Sequence, residues 1–569
     1  MKEDGSINRK WFFSTIILGV ILIVSLFFNI RVFFKQSNTS KSFDVDDIGK
    51  SSKIIGLEFS RREILQMTED LKDNLKAYLQ MRQFDLDNSV FPAVQFNPLM
   101  PDVSRAVIKE PDWKAFTLKE IPGLKAPANL EDLAFEPVTV LARFIKSRQV
   151  SSTALTKMYI ARLKRYDPLL KCVVTLTEER ALAQAARADE EIASGLYRGP
   201  LHGIPYGVKD LLAVKGYKTT WGTPPFKDQV IDLDATVVER LEKAGAVLVA
   251  KLTLGELAWG DVWTLGKTRN PWNPSRGSSG SSAGPASATS AGLVGFSIGT
   301  ETWGSIISPS TECGVTGFRP TYGRVSRYGA MALSWSMDKI GPICRSAEDC
   351  TLVFNAIYGP DGKDFTLIDQ PFDWNPSRDI KSLRIGFVKD LFEKKYPTRS
   401  NDLAVLEKLR GMGARLVPIQ CPKFPVENLA FILNAEAAAA FDQLSRSGKD
   451  DLMVRQERYA WPNVFRHSRF IPAVEYIRAN RFRTLLIHEM ALLFKNIDVY
   501  IVPSFGGENL LLTNLTGHPA VVIPNGFDKD KIPTSITIVG DLFHDADALS
   551  AAKIVQDSTD FHKKHPVLK

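Results

Sequence analysis

RGSSGSSAGPASATSAGLVGFSIGTETWGSIISP, residues 276–309, crowds serines and glycines around a short apolar centre. Glycines permit positive φ and close backbone approach to a ligand, while serines offer nucleophiles, proton relays and local hydrogen bonds. A solvated linker has no use for Ala291, Leu293, Val294, Phe296 and Ile298, so the stretch reads as a buried functional segment. Gly280-Ser281-Ser282-Ala283-Gly284 satisfies G-x-S-x-G, the nucleophile elbow, with Ser282 as nucleophile. An elbow needs a strand before its serine, and the prolines and asparagines between Asn270 and Arg276 read as loop. It also needs a later acid and histidine. Of the 7 histidines, His518 in Thr516-Gly517-His518-Pro519 is the best placed, and a lone turn histidine is ordinarily structural. No G-x-x-x-x-G-K-[ST] cradle for phosphates is present.

Outward from this stretch, three separated segments point to a different chemistry: Gly203-Ile-Pro-Tyr-Gly-Val-Lys209-Asp210, Ser279-Gly-Ser281-Ser-Ala-Gly284 and Gly299-Thr-Glu-Thr-Trp-Gly-Ser305. With their flanks, Lys267 to Asn273, Cys313 to Gly329 and Asn514 to Asn525, they resemble the amidase signature family. The Ser281 to Ser305 interval is also that of the family, and the resemblance runs from about Phe135 to the C-terminal end. It implies an α/β fold in which a large mixed sheet is covered on both faces by helices. It implies a Ser/Ser/Lys triad: Ser305 as nucleophile, Ser281 as proton carrier behind a cis Gly280–Ser281 peptide, and Lys209 as general base. Thr302, Trp303 and Gly304 would supply backbone N–H groups to an oxyanion hole. No cofactor or metal is implied.

The chemistry of these residues agrees with that division. An alcohol is a poor nucleophile until a positioned base takes its proton. An unperturbed lysine is neutral in only about one molecule in 2,500 at pH 7, so the site must desolvate Lys209. Val208, Leu211 and Leu212 suit such a pocket. Three positions depart from the family's pattern. Its Gly-Gly before the nucleophile is Trp303-Gly304, its arginine two residues after the nucleophile is Ile307, and its usual Asp is Glu301. Loss of a cation at 307 predicts poor recognition of small acidic or strongly polar acyl groups and preference for apolar ones.

At the N-terminus, Trp11 to Ile30 is largely apolar and flanked by Arg9-Lys10 and Arg31. About twenty helical residues match a bilayer core, and Phe28 to Phe34 offers no small-residue cleavage site. The expected organisation is therefore a tail at 1–10, a transmembrane anchor at 11–35, a tether and partly helical extension at 36–131, and the amidase domain at 132–569. The expected location is the membrane, by a single N-terminal pass with the catalytic domain outside the cytoplasm. Arg61 to Arg82 carries apolar residues at helical spacing. Helices are predicted at Val138–Ser147, Ser151–Arg165, Glu178–Ala193, Thr236–Ala244 and Asn401–Gly411, with buried strands at Ala246–Ala250 and Leu416–Ile419.

Composition sets wider bounds. With 44% hydrophobic and 24% charged residues, the 569-residue chain has ample core. Its net charge of +8 is dispersed, with no basic block interleaved with aromatics, so it suits an anionic membrane surface better than nucleic acid, and no nucleic-acid partner is expected. Five cysteines without a C-x-x-C indicate neither a disulfide framework nor zinc. The sequence thus predicts a membrane-anchored amidase acting on a small carboxamide through an acyl-Ser305 intermediate. Two other functions fit the same motifs: the glutaminase subunit of a tRNA-dependent amidotransferase, suggested by Thr321 to Gly329, and a non-catalytic amide-binding protein.

Overall fold

The computed structural model describes residues 43–54, 118–457, 459–469 and 471–568, with positions 61, 64, 65, 68 and 116. The chain divides into two compact units, 1–90 and 91–569. In the first, a helix spans Val45–Ile54, inside the segment expected to be a tether. Asp44 starts it: its Oδ1 accepts the N–H groups of Asp46 and Asp47, each at 2.9 Å, while Asp47 Oδ2 accepts that of Asp44 at 3.0 Å. This reciprocal cap outweighs the polar composition. Positions 61, 64, 65 and 68 are helical, and the rest of the helix expected there lies outside the described residues.

The second unit is built on an 11-stranded sheet. In chain order its strands are β1 (Val173–Leu176), β2 (Pro205–Lys209), β3 (Val247–Leu252), β4 (Phe296–Glu301), β5 (Thr316–Arg319), β6 (Lys339–Cys344), β7 (Ile385–Val388), β8 (Leu416–Ile419), β9 (Val499–Pro503), β10 (Ala520–Phe527) and β11 (Pro533–Gly540). They lie side by side as β1-β3-β2-β4-β6-β5-β10-β11-β9-β7-β8. The sheet is mixed: β3-β2-β4 run parallel, as do β9-β7-β8, and the strands between are antiparallel. Helices cover both faces. Gly317 of β5 meets the helix Ile307–Cys313 so closely that a Cβ would lie 2.4 Å from Ser310 Oγ. The next side chain, Phe318, points to the other face and meets Phe354 of the helix Ala347–Ile357, with ring centroids 5.2 Å apart.

Most expected elements form, with two instructive extensions. The helix capped by Ser151, whose hydroxyl accepts the Ala154 N–H, runs on through Pro168 to Leu170. It stops where Lys171 adopts φ 50° and Asp167 Oδ1 accepts the N–H groups of Cys172 and Val173. β3 continues past Ala250 because Lys251, a charge that reads as a strand end, is buried against a carboxylate.

The expected localisation requires correction. The proposed anchor at 11–35 lies outside the described residues, and among the described residues no helix is long and apolar enough to cross a membrane. The two longest described helices, Ser152–Leu170 and Ala473–Phe494, are studded with charge at Lys157, Arg162, Arg165, Arg478, Arg481 and Arg483, which bars them from a bilayer. A membrane-attached, extracytoplasmic enzyme is therefore not retained.

Candidate active site

β2 is enclosed by β3 and β4 and is buried throughout, so Lys209, at its C-terminal end, does not meet solvent. Lys209 is 0% exposed. Its Nζ lies 2.8 Å from Ser281 Oγ, 2.8 Å from Thr300 Oγ1 and 3.2 Å from Ser282 Oγ. Burial drives its pKa well below the ordinary lysine value, against the opposing pull of the Asp338 and Glu301 carboxylates. Val208, Leu211 and Leu212 are all buried beside it, as expected from the sequence.

The Gly280–Ser281 peptide is cis. Gly280 is required there by contact, since a Cβ would stand 1.8 Å from the carbonyl oxygen of Gly260. Ser282 opens the helix Ala283–Ser290, and its hydroxyl is engaged in holding β4: it donates to Thr300 O at 3.0 Å and accepts the Thr300 N–H at 3.1 Å. The elbow reading of Ser282 therefore finds no support. Its N–H donates to Ser305 O at 3.1 Å, which joins the relay segment to the turn after β4.

That turn contains Thr302, Trp303, Gly304 and Ser305. Gly304 has φ 87°, a left-handed conformation suited to glycine. Ser305 is nearly buried, and among the described residues its Oγ has no hydrogen-bond partner, nor do the N–H groups of Trp303, Gly304 and Ser305. Trp303 is 43% exposed, so this departure from the family pattern faces outward. Ile307 is fully buried and starts the next helix, leaving no cation at that position.

Residues that the sequence did not single out for these roles hold the turn in place. Glu301 Oε2 accepts the N–H groups of Ile306 at 2.8 Å and Ile307 at 2.9 Å. Its Oε1 meets Arg319 Nη1 at 2.6 Å and Asn514 Nδ2 at 2.8 Å. Burial pushes its carboxyl up, but Arg319 and these donors outweigh it and hold the group below its ordinary range. On the other side Asp338 Oδ1 accepts the Thr302 hydroxyl at 2.5 Å, while Oδ2 accepts the N–H groups of Leu333 and Ser334. The quoted motifs contained Thr300, Glu301, Arg319 and Asn514. Nothing local marks Asp338, which lies 36 positions from its partner.

His518 is elsewhere in function. It is buried, its ring stacks on Phe494 at 5.1 Å, and Nδ1 lies 2.8 Å from Thr516 Oγ1. Burial pushes its pKa down to about 3. The unfolded chain takes up this proton near pH 6.5, so stability is full above that and falls as pH drops toward 3. At pH 5 the cost is about 2 kcal/mol. His518→Gln is expected to reduce the stability lost between pH 7.5 and 5 by that amount in urea melts, whatever its effect at pH 7.5. An unchanged loss refutes the assignment. Among the described residues no group of His, Cys, Asp and Glu is arranged to hold a metal. The five cysteines are unpaired, and burial raises the thiol pKa of Cys172, Cys313 and Cys344 well above the ordinary value.

A sequence profile described as amidase matches residues 154–509, which span Lys209, Ser281 and Ser305. The chain belongs to the amidase signature family. Two curated relatives in this family are A subunits of glutamyl-tRNA(Gln) amidotransferase. That of Thermosynechococcus vestitus is 33% identical over 476 residues, covering 75% of this chain and 99% of the relative. That of Methylococcus capsulatus is 33% identical over 474 residues, covering 75% and 97%. The amidase signature fold also superposes on the peptide amidase of Stenotrophomonas maltophilia with a TM-score of 0.67 at 28% identity, covering 75% of this chain and 97% of that one.

Proposed function

We propose that this chain cleaves the C–N bond of a carboxamide through an acyl-Ser305 intermediate. The observation that carries this reading is Lys209, buried and held 2.8 Å from Ser281 Oγ, beside a segment tied to Ser305. In this mechanism Ser305 Oγ attacks the carbonyl carbon as its proton passes to Ser281, and the Ser281 proton passes to Lys209 Nζ. The oxyanion is met by N–H groups of the Thr302–Gly304 turn. The returning proton goes to the nitrogen, ammonia or an amine leaves, and water releases the acid by the same route.

The curated relatives support the glutaminase subunit of a tRNA-dependent amidotransferase better than a free-standing amidase. In that role the amide is glutamine and the ammonia passes to a partner. Ile307 supports the other reading, since no cation stands there to meet an amino-acid carboxylate. Ammonia release from glutamine, hexanamide, benzamide and an amidated dipeptide separates these readings. Glutamine turnover that rises with glutamyl-tRNA and partner subunits is expected for the amidotransferase role, whereas turnover of the apolar amides by the chain alone is expected for the free-standing enzyme. Binding without release of ammonia or amine from any of them points to a non-catalytic protein.

A further inference from the structure

The three hydroxyls around Lys209 Nζ are not equivalent. Nζ lies 2.8 Å from Ser281 Oγ, 2.8 Å from Thr300 Oγ1 and 3.2 Å from Ser282 Oγ. Ser282 has no proton to give the amine: its own goes to Thr300 O, and its lone pairs take the Thr300 N–H and one Nζ–H. Ser281 does the opposite in the proposed relay and surrenders its proton to Nζ. The third hydroxyl belongs to Thr300, a residue outside the triad, and among the described residues its Oγ1 has no partner other than Lys209. Thr300 lies on β4 in register with Ile340 of β6, and the Ser282 hydroxyl holds its backbone N–H and carbonyl together. A β-branched side chain on a fixed strand has few rotamers, so the Thr300 hydroxyl is held against Nζ at small cost in entropy.

A neutral lysine amine has two N–H bonds and one lone pair. Ser282 accepts one N–H, and when Thr300 accepts the other, the lone pair is left for the Ser281 proton. Without Thr300 Oγ1, the nearest remaining acceptor for the second N–H is Ser281 itself, which turns the lone pair away from the proton it must take. In the transfer the Ser281 O–H bond breaks, an Nζ–H bond forms, and the Ser305 proton refills Ser281. The resulting ammonium has three N–H groups and three hydroxyl oxygens to receive them. The charged groups that act on Lys209 are the carboxylates of Glu301 on β4 and of Asp338 just before β6, and among the described residues neither pairs directly with Nζ. Asp210, next in the chain, and Lys251 of β3 are bonded to each other at 2.8 Å. Direct contact with the amine is therefore made by the hydroxyls.

We propose that Thr300 is a positioning residue, whose hydroxyl aims the Lys209 lone pair at the Ser281 proton and then receives one N–H of the ammonium. This rests on the proposed role of Lys209 as base. The test uses a fluorophosphonate: Ser305 Oγ bonds to phosphorus, fluoride leaves, and the serine proton passes through Ser281 to Lys209. The rate of adduct formation, read by intact mass on the full chain from pH 4 to 10, is expected to rise along an acidic limb to a plateau. Thr300→Val keeps the shape of the side chain and removes the oxygen, so the ammonium loses a hydrogen bond and Lys209 becomes a weaker base. The limb should move to lower pH by about one unit and the plateau should fall roughly tenfold. Thr300→Ser, which restores the oxygen and lacks the methyl, should return the limb and most of the plateau. A packing role for Thr300 gives the reverse order, with valine tolerated and serine impaired. Should Thr300→Val fail to fold, Thr300→Ala carries the same expectation. An unmoved limb or plateau, a limb moved to higher pH, or a serine variant no better than valine overturns the inference. Lys209→Ala distinguishes the two levels: normal labelling in that variant removes Lys209 as base, whereas lost labelling there together with a wild-type profile in Thr300→Val removes only the role of Thr300.

Discussion

Ser305→Ala is expected to lower turnover of any amide substrate by at least about a thousandfold while leaving the fold intact. The size of the effect follows from the chemistry, since no acyl intermediate forms without the attacking oxygen. The harmlessness to the fold follows from the structure. Among the described residues Ser305 Oγ has no hydrogen-bond partner, and the backbone oxygen that accepts the Ser282 N–H survives the substitution. Its neighbour in the motif differs. Ser282 Oγ bonds both the N–H and the carbonyl of Thr300, so losing it costs structure before chemistry. Ammonia release and a thermal melt on the purified variant check both halves. Turnover equal to wild type refutes the nucleophile assignment.

The contrast between Ser305 and Ser282 shows what the sequence could convey. Chemistry that depends on backbone shape is written locally: Gly304 must adopt positive φ, Gly280 must lie against Gly260, and the apolar residues around Lys209 must desolvate it. The α/β alternation was legible at Val247–Leu252 and Leu416–Ile419, short and largely apolar runs that each follow a helix. Partners brought from afar were not. Asn514 reaches Glu301 across 213 positions, and Asp210 finds Lys251 only when β3 lies beside β2. A buried lysine reads as a surface lysine until its carboxylate is seen. At the N-terminus apolar length suggested an anchor at 11–35, which lies outside the described residues, and among those no helix is long and apolar enough to cross a membrane. Residues 45–54 read as tether because the Asp44–Asp47 cap, two acids in a polar run, looks like solvated charge.

Glu301→Gln is expected to destabilise the protein by about 3–5 kcal/mol, the usual cost of breaking a buried ion pair from one side. The substituted side chain presents an amide where Arg319 and Asn514 both donate, so a donor loses its acceptor, and the Arg319 charge stays buried without compensation. The same carboxylate holds the N–H groups of Ile306 and Ile307, immediately after Ser305, so turnover should fall with stability by tenfold or more. The pH dependence identifies the cause. Burial pushes the pKa of Glu301 up, and Arg319 with the other donors outweighs it and holds the group below its ordinary range. Its stabilising contribution is therefore present above the ordinary glutamate pKa of about 4.3 and is lost as pH falls through the lower folded value. The stability gap between wild type and Glu301→Gln, measured by urea unfolding, should be full at pH 7 and shrink below about pH 4. A gap that stays constant down to pH 3 would assign the loss to packing, and turnover that survives at pH 7 would show that the turn keeps its geometry without this carboxylate.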